Sequence, residues 1–379
     1  MQRSSIGRVR IGKLRQALEA NKIGLLILED REDITWLCGS GDADVVLVSA
    51  NDKEPLKVFT RKKEKFSERT WAEFESGIYR ELKKTVGKFR MKIASDCQRK
   101  PFSSHLVKNQ RSKIQDGFTL FWKVASVKDA VEQERFRIGA LVAEKLMKFA
   151  LDNLEHGIME IDLNDKVMIK GRTLVYEENE KLDHLYPEYT PMITGIIEDN
   201  PAVKITFGSS TAEPHALPRF RKLRKNDIIS ICVIPNIDGY WVELELTTFV
   251  GKPSSKLFEH NQFKRKLLED TLELCREGTK PCELHENVRE EIQARGFENK
   301  FLHASGHGIG LKLHEPPILE ALCNGLAEEP LQRGQTLAIE PGFYFKRRYG
   351  FRDCVTIAIK RNKPEILANF PAPHELSQN

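Results

Sequence analysis

Three histidines lie within twelve residues of the segment "HASGHGIGLKLHEPP" (303–317), at His303, His307 and His314. Imidazole binds metal ions and transfers protons near neutral pH. A regular strand would place His307 and His314 on opposite faces, but the glycines between them allow a bend that turns both towards one pocket. The segment therefore predicts a metal or proton-transfer site, and a glycine-rich turn with structural histidines is the alternative.

A second group of polar residues lies in the strand-like segment "CVIPNIDGYWVELEL" (232–246). A hairpin turn at 236–239 would bring Cys232 on one arm close to Glu243 and Glu245 on the other. Because alternate residues of a strand point to the same side, the two glutamates share a face. The hairpin thus predicts a cluster of one thiol and two carboxylates.

Two further segments carry reactive side chains inside apolar runs. In "RDCVT" Arg352 and Cys354 share one strand face and Asp353 lies on the other, while "AIEPG" places Glu340 just before a proline. A buried carboxylate needs a cation, a metal ion or a hydrogen-bond donor. Glu340 is therefore a candidate site residue, whereas Glu245 could also be a solvent-facing edge residue.

The elements that would position these residues fall into two domains. Helical spacing from residue 8, followed by the strand-like runs "LLILED", "VVLVSA", "LKVFT", "MKIASD" and "FTLFWKV", predicts an α/β N-terminal domain over 1–122. Residues 123–379 are predicted to form an α+β domain around an antiparallel sheet. It would open with a helix over 126–155, N-capped by Ser126, and include a mostly helical stretch over 261–295.

Composition narrows the functional classes. The chain has 60 basic and 55 acidic residues and no sustained block of one sign, so nucleic-acid binding gains little support. The seven cysteines form no CxxC pair, which favours a reducing compartment without a disulfide framework. There is no secretory leader pattern and no run of 18 apolar residues, so we expect a cytoplasmic protein without a membrane partner.

Taken together, the motifs resemble those of the prolidase, aminopeptidase P and creatinase family. The matching pieces are "AEPHALP" (212–218), the 232–251 hairpin, "HASGHGIGLKLHEPP", "AIEPGFYF" and "GFRDCVTIAI", with "GLLILEDREDITWLCG" near the N-terminus. The resemblance implies a creatinase-type α/β domain over 1–122 and a pita-bread domain over 123–379. It also implies a homodimer and a small-molecule or dipeptide substrate.

Metallopeptidases of that family hold two divalent ions with two aspartates, a histidine and two glutamates. By resemblance, these positions fall on Cys232, Glu243, His307, Glu340 and Cys354. Mn²⁺ and Co²⁺ pairs need bridging oxygens, and thiols at two positions argue against the standard dinuclear site. The candidate cofactor is therefore either none or a single zinc or iron ion.

Three functional interpretations stay open. The first is a metal-free hydrolase of a C–N bond in an Xaa-Pro-like dipeptide or an amidino compound, with His215, His314 and Glu340 as catalytic groups. By resemblance, Glu243, Glu245 and Arg352 would then bind the substrate. The second is an Xaa-Pro metallopeptidase with one zinc or iron ion, and the third is a binding module without catalysis. Pairing of Cys232 with Cys354 in a reversible disulfide is a further alternative.

Overall fold

The computed structural model describes residues 3–39, 43–60, 74–78, 82, 86, 92–96, 114–185, 200–321 and 325–370. The chain divides into two compact units. The first comprises 1–125 and 181–195, and the second comprises 126–180 and 196–379. Among the described helices, none has the length and apolarity needed to cross a bilayer.

The first unit is a mixed α/β layer. Its helices are α1 (Arg3–Ala20), α2 (Arg31–Cys38) and α3 (Phe118–Ala125), and its strands are β1 (Ile23–Leu28), β2 (Val45–Ser49), β3 (Leu56–Thr60), β4 (Phe74–Ile78), β5 (Lys92–Ser95) and β6 (Ile114–Asp116). The six-stranded sheet has the order β4-β3-β2-β1-β5-β6. The pairs β1–β2 and β2–β3 are antiparallel, and the other three pairs are parallel.

The segment "FTLFWKV", predicted as a strand, is helix α3, so that prediction is wrong. Its buried residues recur at helical spacing, at Leu120, Phe121 and Trp122 and again at Ala125. The carboxylate of Asp116 accepts hydrogen bonds from the backbone N–H groups of residues 118 and 119, which satisfies two free donors of the first turn. A short apolar run does not distinguish a buried strand from a buried helix.

The second unit is built on antiparallel sheets. Its helices are α4 (Ala130–Asp152), α5 (Glu160–Leu185, whose last turn belongs to the first unit), α6 (Ser255–Leu274) and α7 (Pro281–Ala294). Its strands are β7 (Ala202–Phe207), β8 (Ile228–Ile234), β9 (Asn236–Ile237), β10 (Tyr240–Trp241), β11 (Leu244–Phe249), β12 (Gly306–Gly308), β13 (Glu315–Leu319), β14 (Thr336–Ile339), β15 (Gly342–Phe345), β16 (Tyr349–Arg352), β17 (Val355–Ala358) and β18 (Glu365–Ala368).

Two of these sheets carry the site. One has the order β11-β8-β7 and the other β13-β12-β14-β17-β18, and a β-bridge between Glu245 and Cys354 joins them. The predicted hairpin turn lies at Asp238 and Gly239, which both have positive φ, between β9 and β10. The predicted α/β architecture of the N-terminal part and the predicted antiparallel α+β architecture of the C-terminal part agree with this topology.

The start of α4 differs from the prediction. Asp129, not Ser126, is the N-cap, because its carboxylate accepts from the backbone N–H groups of Val131 and Glu132 while Glu132 accepts from the N–H of Asp129. This reciprocal capping box satisfies more donors than a single serine could. Ser126 instead accepts a hydrogen bond from Gln335.

Candidate active site

Strands β8 and β11 position the thiol and the two glutamates predicted from the hairpin. Cys232 is the cross-strand partner of Glu245, and its Sγ lies 3.6 Å from Oε1 of Glu243. Thr356 on β17 fixes the backbone of Glu243, since its hydroxyl accepts from the Glu243 N–H and donates to the Glu243 carbonyl. All three site residues are buried.

The histidine segment supplies the opposite wall. His307 lies on β12 beside Ala338 of β14, and its Nδ1 is 2.9 Å from the carbonyl oxygen of Gly308. Its Nε2 is buried and has no hydrogen-bond partner. That nitrogen faces Oε2 of Glu243 at 3.6 Å and Oε1 of Glu340 at 3.7 Å. Three donor atoms therefore converge on one point without bonding to one another.

Arg352 occupies the space beside this cluster. Its Nε and NH2 donate to Oε2 of Glu245 at 2.6 and 2.5 Å, and its NH1 lies 3.1 Å from Oε2 of Glu340. The hydroxyl of Ser230 donates to the other oxygen of Glu245. Glu245 is thus bonded at both oxygens, and Glu340 has only one oxygen left to face His307.

The two thiols are free and buried, so Cys232 and Cys354 do not form a disulfide. Burial raises the pKa of both thiols well above the usual value, and the nearby carboxylates add to the effect. They are neutral near pH 7 and relieve the repulsion that five carboxylates would create. The sequence predicted no disulfide framework, yet Cys282 is disulfide-bonded.

The buried ionisable groups have different protonation tendencies. Burial raises the pKa of Glu340 to about 7, with Arg352 opposing. For Glu243, burial is outweighed by His307 and Arg352, and the pKa falls to about 2. Burial would lower the pKa of His307, but the two facing carboxylates reverse this and raise it.

The other two histidines proposed as catalytic lie at the exposed side of the cluster. The ring of His314 is 4.4 Å from that of His307, centroid to centroid, so the loop does bend both towards one pocket. His215 is exposed on the segment after β7. Burial lowers the pKa of both rings. The positive charge of Arg352 lowers the pKa of His215 further, and that of His307 lowers the pKa of His314 further. Both rings are neutral near pH 7 and can accept a proton.

His303, the first of the three histidines, lies apart from this cluster. Its Nε2 is 2.8 Å from the hydroxyl of Tyr344, and its Nδ1 is 2.6 Å from the carbonyl oxygen of Ala304. Asp353 also behaves as the strand pattern predicts, because it faces away from Arg352 and pairs with the buried ammonium of Lys264 at 2.7 Å.

Two overlapping groups of buried residues could hold a metal ion, namely Cys232, Glu243 and Glu245, and Glu243, Glu340 and Cys354. One oxygen of Glu243, one oxygen of Glu340, Nε2 of His307 and the thiol of Cys354 remain available, and the Glu243, Glu340 and Cys354 donor atoms lie within 4.8 Å of one another. Tetrahedral zinc places its donors about 3.3–3.6 Å apart, which is close to the distances from Nε2 of His307 to the Glu243 and Glu340 oxygens. The group that contains Cys354 extends up to 4.8 Å and does not include His307. A second ion would need Glu245, whose oxygens are already bound by Ser230 and Arg352.

Sequence reasoning missed several residues of the site. Ser230 and Thr356 form hydrogen bonds with site residues, Tyr344 lines the same pocket as Arg352, and Lys204 on β7 is the cross-strand partner of Cys232. Lys204 could have been found from the sheet, because it alternates with inward-facing Val203 and Ile205 next to the reactive hairpin. The local motif around Lys204 carries no sign of chemistry.

Comparison with known families covers most of the chain. The model described as "Metallopeptidase family M24" matches residues 134–361, and that described as "Creatinase/Prolidase N-terminal domain" matches residues 10–135. An Xaa-Pro dipeptidase of Pyrococcus furiosus is 25% identical over 236 residues, or 62% of this chain and 61% of that protein. One of Lactobacillus delbrueckii subsp. lactis is 27% identical over 172 residues, 45% of this chain and 46% of that protein. The alignment therefore spans about three fifths or less of these relatives.

Solved structures share the fold over nearly the whole chain. The dipeptidase PepE of Mycobacterium ulcerans superposes with a TM-score of 0.80 at 20% identity, covering 98% of each chain. The Xaa-Pro dipeptidase of Bacillus anthracis gives a TM-score of 0.79 at 20% identity, covering 96% of this chain and 98% of that one. At such identities the superpositions establish the architecture.

Proposed function

Since the chain belongs to metallopeptidase family M24, we propose that it hydrolyses the C–N bond of a small substrate of the Xaa-Pro dipeptide class. The observation that carries the proposal is the buried, unpartnered Nε2 of His307, which faces single free oxygens of Glu243 and Glu340 beneath the ring of His314. Relatives named Xaa-Pro dipeptidases support the substrate class.

In this proposal the residues of the chain divide the work of amide hydrolysis. Glu340 and Glu243 orient the attacking water, and Arg352 holds Glu340 in place through its second oxygen. Either exposed histidine, His215 or His314, can take a proton and return it to the leaving nitrogen, which becomes the free proline amine. Such general acid–base groups contribute about 10²- to 10⁴-fold to a rate.

Members of a metallopeptidase family use a metal ion, and here we propose at most one. His307, Glu243, Glu340 and Cys354 would hold it, and the thiol favours zinc or ferrous iron over manganese. When bound, the ion supplies Lewis-acid polarisation of the substrate carbonyl. The predicted absence of the dinuclear site stays a prediction, supported by the engagement of Glu245 with Arg352.

The hydrogen bond between Glu245 and Arg352 also favours a dipeptide over an amidino compound as the substrate. A guanidinium substrate needs carboxylates that are free to receive its N–H groups, yet both oxygens of Glu245 and one of Glu340 are already bonded. The role of Glu245 as a substrate ligand is therefore replaced in our proposal by support of Arg352. A homodimeric state and a cytoplasmic location stay expectations from the sequence.

The proposal is tested by release of free proline from Ala-Pro, measured for the full chain and three variants. We expect turnover by the wild type and at least a hundredfold loss of kcat in His314→Ala or His215→Ala. His156→Ala, which removes an exposed histidine of the second unit, serves as the matched control and should leave the rate unchanged. Absence of proline release by the wild type, with and without added Zn²⁺ or Fe²⁺, would refute the proposal.

A further inference from the structure

Lys204 is a cation of the pocket that the proposed chemistry does not use. It lies on β7 directly across from Cys232, and its half-buried side chain lines the same small pocket as Cys232, Glu245 and Arg352. Pro214 and Ala216, the neighbours of His215 in sequence, line that pocket as well. The ammonium thus lies between the thiol side of the site and the segment that carries His215.

The ammonium of Lys204 forms no direct ion pair with another described residue, although its charge helps to lower the pKa of Glu243. Arg352 is engaged with Glu245 and Glu340, whereas Lys204 has no ion pair or side-chain hydrogen bond within the part of the chain that the structure describes. Its field reaches both exposed histidines. After burial and Arg352 it helps to lower the pKa of His215, and after burial and His307 it helps to lower that of His314.

A half-buried ammonium without a partner is a binding group for an anion. Its hydrogen bond to a carboxylate contributes more than a hydrogen bond between neutral groups. The same charge, next to Arg352, repels a cationic ligand. The carboxylates that would attract such a cation are turned inward, towards Arg352 and His307.

We propose that Lys204 binds the carboxylate of the substrate, so that the site selects small C–N substrates bearing an anionic group next to the scissile bond. This inference rests on the proposed function and sharpens it, because it separates dipeptides with a free C-terminus from those whose C-terminus is blocked. Lys204 is thereby assigned as a specificity-determining residue that does not take part in bond cleavage.

The experiment compares Ala-Pro with its C-terminal amide, Ala-Pro-NH₂, in the wild type, Lys204→Met, Lys204→Arg and the control Lys225→Met. Lys225 is an exposed lysine of the same unit, so its removal changes net charge equally. We expect the ratio of kcat/KM for acid over amide to fall about 10- to 100-fold in Lys204→Met. The ratio should be largely retained in Lys204→Arg and unchanged in Lys225→Met.

The outcomes separate this inference from the proposed function. An acid-over-amide ratio in Lys204→Met equal to that of the wild type would overturn the role of Lys204 while leaving hydrolysis intact. If the wild type turns over neither compound, the proposed hydrolysis fails, and calorimetric binding of the two compounds decides the inference instead. Weaker binding of Ala-Pro, but not of the amide, in Lys204→Met supports it, and equal binding in both proteins overturns it.

Discussion

Arg352 determines how many carboxylate oxygens of the site remain free to bind a metal ion or a substrate. By bonding to Glu245 and to one oxygen of Glu340, it supplies a fixed positive charge where two thiols have removed negative ones. The strand pattern predicted that Arg352 and Cys354 share a face, and the hairpin predicted that Cys232 meets Glu243. The sequence could not predict which carboxylates bind Arg352, because that depends on side-chain geometry across two sheets.

His303 gives a pH-dependent stability prediction. Burial, and after it the positive charge of Arg352, lowers the pKa of His303 to about 3 in the folded chain. In the unfolded chain the pKa of a histidine is about 6.5. Between these values the unfolded chain binds more protons, so the free energy of unfolding falls as the pH falls below 6.5. The slope approaches about 1.4 kcal/mol per pH unit only below the unfolded pKa, so the contribution of His303 lost between pH 6.5 and 4.5 is about 2 kcal/mol.

Chemical denaturation across this pH range checks the prediction in wild type, His303→Gln and the exposed-site control His156→Gln. Glutamine can hydrogen-bond but does not titrate, so His303→Gln should lose less stability towards pH 4.5 than the wild type. The control should follow the wild type. Parallel curves for wild type and His303→Gln would contradict the assignment of a buried, neutral His303.

At the scale of the elements, the approach of β12 to β14 places His307. Gly306 packs so closely on β14 that an added Cβ would collide with the carbonyl oxygen of Ala338. Backbone cannot move aside as a flexible side chain can, so Gly306→Ala should displace β12 together with His307. We expect a loss of about 1–3 kcal/mol in the free energy of unfolding, as for other overpacked sites.

Thermal and denaturant unfolding of Gly306→Ala, together with its Ala-Pro turnover, measures both effects. Gly12→Ala is the matched control, because a Cβ at that position of α1 has no atom within 4 Å and helix propensity favours alanine. We expect the control to be as stable as the wild type or more so. A Gly306→Ala variant with unaltered stability and turnover would show that the close approach does not hold the site.

Element prediction succeeded where periodicity is long or the turn chemistry is specific. The hairpin at Asp238 and Gly239 and the long helix α4 followed from the sequence, whereas α3 was mistaken for a strand because a mostly apolar segment of eight residues carries no decisive period. The predicted N-cap of α4, Ser126, lies three residues before the observed N-cap, Asp129. Ser126 fits the local rule, but Asp129 and Glu132 together satisfy more backbone donors.

For the whole molecule, the resemblance of dispersed motifs gave the family, and the family match and the fold confirm it. The predicted domain boundary after residue 122 and the homodimer stay predictions. The sequence did not single out Lys204 as a site residue. Its proposed role depends on its cross-strand partner, Cys232, and on the lack of a direct ion pair with another described residue. Neither property can be read from the residues that flank it in the chain.

We propose that this M24 fold has donor atoms for at most one metal ion, because Arg352 binds the carboxylate oxygens that a second ion would need. The most direct test is metal content per chain after equilibration with excess Zn²⁺ or Mn²⁺ and removal of unbound ions, measured beside Cys354→Ser. We predict no more than one Zn²⁺ per chain, weaker retention in Cys354→Ser, and little retained Mn²⁺. Two tightly held Mn²⁺ ions per chain would contradict the account.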